Sequence, residues 1–171
     1  MDSIHKTGTV YQMAFLVDNL AAAAEDWRRR GAGPFYRFDD FEFSEMLYPG
    51  GSASPRLSIL LGYSGDTMIE LIQVGDDPTG LFSGLQAPAA HHVALLVEDI
   101  DSYLDANGNR DQLAMHGLFP TGTPIAMLDS RAETGLITEL VTLDDSVRGM
   151  ISLMRAEASA FSGKDLLRSF G

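Results

Sequence analysis

Two stretches of this chain share one pattern of apolar and polar positions. YQMAFLVDNL, from Tyr11, and HHVALLVEDI, from His91, both run polar or aromatic, polar, apolar, Ala, three apolar residues, acid, polar or acid, apolar. Such short apolar runs, with side chains alternating between two faces, are the mark of strands. A second pair matches further along each half. GDTMIELIQ, from Gly65, and TGLITELVT, from Thr134, are short apolar runs each interrupted by one Glu. The halves begin alike and end alike, so the chain carries a weak internal repeat.

The first half reads as β-α-β-β-β. Residues 10–17 form a strand, with Val10, Gln12, Ala14 and Leu16 on one face. Asp18 caps a helix that places Leu20, Ala23, Ala24 and Trp27 on one side, and Gly31 ends it. Residues 35–43 form a strand, 48–55 (YPGGSASP) a loop, and 57–61 and 67–74 two strands joined at Ser64-Gly65-Asp66. The second half repeats this less cleanly. Residues 92–97 form a strand, and Glu98 or Asp99 opens a helix with Ile100, Tyr103 and Leu104 inward. Asn107-Gly108-Asn109 interrupts that helix, and a second helical piece runs to His116. Residues 125–128 and 136–142 are strands. Beyond Asp144, the residues Val147, Met150, Ile151, Met154 and Ala158 form an apolar stripe on a helix, packed on the sheet or on a partner subunit. The expected class is α+β: a tail over residues 1–8, modules over 9–80 and 90–143, and a helical extension over 144–171, making one domain overall.

Composition narrows the function. The 171 residues are 45% apolar, enough for a sizeable core. No apolar run approaches the roughly 18 residues of a membrane helix. MDSIHKTGTV lacks the basic and apolar regions of a signal peptide, so a cytoplasmic protein is expected. The absence of cysteine removes disulfides, zinc-thiolate sites and thiol nucleophiles. A net charge of −12, with no basic stretch beyond Arg28, Arg29 and Arg30, argues against a nucleic-acid partner.

The repeat also aligns candidate chemistry. Gln12 and His92 occupy the same place in their repeats, and so do Glu70 and Glu139. Glu70 shares a face with Met68 and Ile72, and Glu139 with Ile137 and Val141. Taken singly, a strand Gln, a core His or an edge Glu is more often structural. Taken together, two carboxylates among apolar neighbours ask for a compensating cation, because an unpaired buried carboxylate costs several kcal/mol. Gln oxygen, His nitrogen and two carboxylates form a mixed set suited to one divalent ion: zinc, nickel, cobalt, manganese or magnesium.

These residues are where the sequence resembles the vicinal-oxygen-chelate superfamily, and within it glyoxalase I and methylmalonyl-CoA epimerase. The resemblance spans roughly residues 9–143. It rests on YQMAFLVDNL, GAGPF at 31–35, the IEL around Glu70, HHVALLVEDI, and LDSRAETGLITEL ending at Leu140. It implies paired modules whose curved mixed sheets enclose a metal held by Gln12, Glu70, His92 and Glu139. His91, beside His92, is assigned to the opposite sheet face as a core or supporting residue. Gln rather than His at position 12 matches glyoxalase I, and counts against the ring-cleaving dioxygenases, whose iron sits on two His and one Glu. The resemblance further implies a lyase or isomerase that removes a proton beside a metal-bound carbonyl to give an enediolate or enolate. Glu139 is the first candidate base and Glu70 the second, with Glu42 or Glu45 as weaker, non-ligand alternatives. A metal-free, non-catalytic ligand-binding protein of the resistance type is the alternative. The expected partners are a small-molecule substrate, such as a thioester or thiohemiacetal, and a second copy in a homodimer. An apolar substrate is the other option, given the aromatics of 35–43.

Overall fold

The two runs aligned by the repeat lie side by side. In the computed structural model, which describes residues 7–170, they are β1 (Val10–Leu16) and β6 (Ala89–Val97), paired antiparallel at the middle of the sheet. The tail up to residue 6, with His5, lies outside the described residues.

Each central strand then enters a helix. The segment α1 (Leu20–Arg28) is capped by Asn19, whose side chain accepts from the Ala22 amide, one residue later than the Asp18 expected. The segment α2 (Ile100–Asn107) is capped by Asp99 and stopped by left-handed Gly108. From α1 the chain continues through β2 (Phe35–Phe41), β3 (Ser44–Leu47), β4 (Arg56–Ser64) and β5 (Thr67–Asp76). From α2 it passes through β7 (Leu113–Leu118), β8 (Pro124–Leu128), the short α3 (Arg131–Thr134) and β9 (Ile137–Thr142). It ends with α4 (Asp145–Ser159) and β10 (Leu167–Ser169). The protein is α+β, with a mixed sheet in the order β10-β2-β4-β5-β1-β6-β9-β8-β7-β3.

Two expectations need correction. The helical piece ending at His116 is a 3-10 turn at Arg110–Gln112 followed by strand β7. Pairing with β8 overrides the local helical preference there. The single strand over 35–43 is split. After β2 the chain turns away at Phe41, and β3 crosses to pair with β7 at the far edge of the other module. Gly117 permits this approach: a Cβ there would sit 3.1 Å from the Met46 Cα. Thus β3 covers one outer strand and β10 the other, with Leu167 paired to Phe35.

Burial follows the alternation of each strand. Phe35, Leu60, Ile69 and Leu71 pack against Leu20 and Ala24 of α1. Leu95, Val97, Ala126 and Leu140 pack against Leu104 of α2. On the opposite face, both modules share one core with Tyr63, Met68, Ile72, Leu96, Met127 and Val141. The apolar stripe of α4 (Val147, Ile151, Met154) is buried in that same core, so the helix packs on its own sheet. No helix among the described residues is long and apolar enough to cross a membrane.

Candidate metal centre

Four adjacent strands, β5, β1, β6 and β9, carry the four candidate residues to one place. Ala14 pairs with Glu70 on one side and His92 on the other. Ala94 pairs with Glu139 on one side and Gln12 on the other. The two alanines lie fully buried between the longer side chains and leave them room. Gln12, Glu70, His92 and Glu139 are all buried, at 5%, 8%, 3% and 4% exposure.

A bulge in each central strand sharpens this picture. The β1–β6 register slips between Val10 and Gln12, and again opposite His91. An extra residue in one strand re-aims its neighbours. As a result Val10 is 53% exposed rather than sharing the face of Gln12, and Tyr11 turns into the core instead. His91 likewise does not point to the opposite face. Its Nδ1 lies 2.8 Å from His92 Nδ1, and its ring stacks on Phe82.

That contact sets the tautomers. His91 Nε2 lies 3.2 Å from the Leu81 carbonyl, which can only accept, so His91 donates through Nε2. Burial, and then the neighbouring charge of His92, hold the His91 pKa down at about 3, so it is neutral and its Nδ1 accepts. His92 therefore donates through Nδ1, and its Nε2 is turned toward the carboxylates. A histidine that ligates a metal normally donates its other ring N–H in this way.

His92 Nε2 is buried and makes no hydrogen bond of good geometry. It faces Glu70 Oε2 at 3.1 Å and Glu139 Oε2 at 3.4 Å. Burial alone would lower its pKa. The two carboxylates outweigh burial and raise it to about 10 in the metal-free protein. Burial raises the pKa of Glu139, against the pull of His92. Gln12 Nε2 donates to Glu70 Oε2 at 2.6 Å. Burial, then the charge of Glu139, push the Tyr11 phenol well above its ordinary value.

The residues fit a divalent cation. Glu70, His92 and Glu139 each offer an atom within 4.8 Å of the others. Ligands about 2.0–2.2 Å from one ion sit roughly 3–3.5 Å from each other in compact coordination, the spacing seen around His92 Nε2. Two carboxylates and one imidazolium leave a net negative charge in an apolar core. A dication with neutral His92 leaves none, which removes a cost of several kcal/mol. A half-turn of the Gln12 amide would present its oxygen to the same point.

The centre lies at a cavity of about 250 Å³ walled by Phe38, Phe41, Phe43, Phe82 and Phe119 and covered by Val147 and Met150 of α4. The other sequence candidates lie elsewhere. Glu42 pairs with Arg56 at the surface, and Glu45 is exposed at a bulge of β3, so neither lines the cavity. His116 is exposed on β7. Arg28 and Arg29 pair with Glu25 and Asp26 on α1, and Arg30 donates to the Asp26 carbonyl. Arg110 and Arg131 pair with neighbouring aspartates. Sequence reasoning missed Tyr11 and Phe119 as cavity residues. The repeat held a signal for Tyr11, since it aligns that residue with His91.

No protein-family model matches the chain, and no curated protein sequence does either. Solved structures do. A methylmalonyl-CoA epimerase from Mycobacterium tuberculosis is similar with a TM-score of 0.56 and 17% identity, over 87% of this chain and 97% of that one. A hypothetical protein from Bacillus halodurans C-125 has a TM-score of 0.54 and 15% identity, over 80% and 95%. A selenomethionyl methylmalonyl-CoA epimerase has a TM-score of 0.52 and 16% identity, over 80% and 95%. The chain thus shares the fold of these structures.

Proposed function

We propose that this protein is a metal-dependent isomerase or lyase that moves a proton on a carbon next to a carbonyl group. The observation that carries this reading is the buried cluster: two glutamates facing one imidazole nitrogen beside an apolar cavity. Glu70, His92 and Glu139, with Gln12 as fourth ligand, would hold one divalent ion. When bound, the ion supplies positive charge where a substrate carbonyl gains negative charge.

The chain's own residues do the rest. Glu139 is the proposed base, because burial raises its pKa and so its appetite for a proton. Glu70, tied by the Gln12 amide, is its counterpart on the other side. His91 fixes the ring of His92 through Nδ1. The phenylalanine wall keeps water from competing for the transferred proton. The epimerase names of two similar structures favour isomerisation, and both modules of the site come from one chain.

Glu139→Gln tests the assignment. It should abolish solvent deuterium exchange into substrate, screened over acyl-CoA thioesters, thiohemiacetals and aromatic oxo-acids, while only weakening metal uptake. Wild-type exchange in that variant would remove Glu139 as base. A purified protein that takes up no divalent ion would be a ligand-binding protein of the same fold instead.

A further inference from the structure

The cavity wall says what kind of molecule the centre serves, if the centre transfers protons as just proposed. Phe38 and Phe41 come from β2, Phe43 from the turn into β3, and Phe119 from the turn after β7. Three of these rings interlock: Phe41 meets Phe43 edge-on at 5.0 Å, and Phe119 stacks on Phe43 at 5.8 Å and meets Phe41 at 6.3 Å. The crossing of β3 onto β7 brings them together, so the aromatic wall joins both modules.

Among the described residues, no Lys or Arg lines this cavity. Arg37 and Arg56, on the strands that supply the wall, are paired with Asp39 and Glu42 at the surface. A dication would be neutralised by Glu70 and Glu139, leaving no spare positive charge for an anionic group. The protein as a whole carries −12. Desolvating an anionic arm here would cost several kcal/mol with nothing to offset it. Size points the same way: about 250 Å³ lies just under the roughly 300–1,000 Å³ of sites for drug-sized ligands.

We infer that the substrate is a compact, uncharged aromatic carbonyl compound, held by its ring against the phenylalanine wall with its oxygens toward the glutamate–histidine cluster. This departs from the thioester or thiohemiacetal expected from sequence, since the usual carriers of those groups are anionic. Rings in such walls gain edge-to-face and stacking contacts beyond simple burial.

Calorimetry on the zinc-loaded protein tests this with two probes, 2-hydroxyacetophenone and propionyl-CoA. The aromatic ketone should bind about tenfold tighter or better than the thioester. Phe119→Asp should weaken the ketone about tenfold with zinc content unchanged. Phe41→Ala, which removes a ring without adding charge, should act in the same direction if the first variant does not fold. Thioester binding as tight as the ketone, or no ketone binding, overturns the inference. Deuterium exchange separates it from the proposed chemistry. A ketone that binds without exchanging its α-hydrogens upholds the ligand class and sinks the proton-transfer reading. Exchange on propionyl-CoA without ketone binding does the reverse.

Discussion

The two modules place their polar side chains alike and use them differently. Each central strand has a bulge and then a candidate ligand: Tyr11 and Gln12 in β1, His91 and His92 in β6. Each last strand supplies a glutamate beside the other strand's alanine. Yet Gln12 is neutral at every pH, whereas His92 titrates and is held protonated by its carboxylates. Tyr11 contributes a ring to the cavity, whereas His91 contributes a hydrogen-bond acceptor to His92. The first module also supplies most of the aromatic wall, through a strand that leaves it for the edge of the second. The paired strands thus fix where groups meet, and the choice of side chain decides what each position offers: a neutral amide at Gln12, a titrating nitrogen at His92.

The largest expected asymmetry is in the candidate ligands themselves. His92→Ala should weaken zinc binding by more than about 100-fold, and Gln12→Ala by about tenfold, in competition with a chelator. Equal losses would erase the distinction between the modules. The bulge residues come next. His91→Ala removes the partner of His92 Nδ1 and should cost about 10–100-fold in zinc affinity, whereas Tyr11→Phe, which leaves that partner in place, should cost less.

A pH series sharpens the same contrast. Zinc needs neutral His92, and the free protein holds that imidazole protonated up to about 10. Binding at neutral pH should therefore release about one proton, and affinity should rise with pH and fall in acid. Calorimetry in two buffers of different protonation enthalpy reads the proton count. A pH-independent affinity between about pH 6 and 9 would show that His92 is not charged in the free protein. The smallest effect probes what the modules share. Asn19→Ala and Asp99→Ala each remove one helix cap and should each cost about 1 kcal/mol in urea unfolding. A large difference between them would mean that the helices are not equivalent supports.

Much of the site was legible because strands alternate and the repeat aligns. Gln12 pairs with His92 by position, and Glu70 with Glu139, from spacing alone. The stripe on α4 was legible too, because five apolar residues at helical spacing need a surface to cover. What spacing hides is a bulge. It inserts one residue without a composition signal, so alternation alone puts Val10 on the face of Gln12 and His91 on the face opposite His92; Val10 is instead exposed, and His91, buried as expected, lies against His92. β7 read as helix because its partner β8 lies in later sequence.

The sequence by itself determined the class of the fold, the faces of most strands and the four polar residues set among apolar neighbours. Local periodicity carries that information, since it depends only on side chains a few residues apart. Tertiary structure alone decided that Glu70 and Glu139 face one nitrogen, that His91 orients His92, and that β3 crosses to close an aromatic wall. Each of these depends on strands distant in sequence meeting in register, and the energy of such contacts is not written in any one segment of the chain.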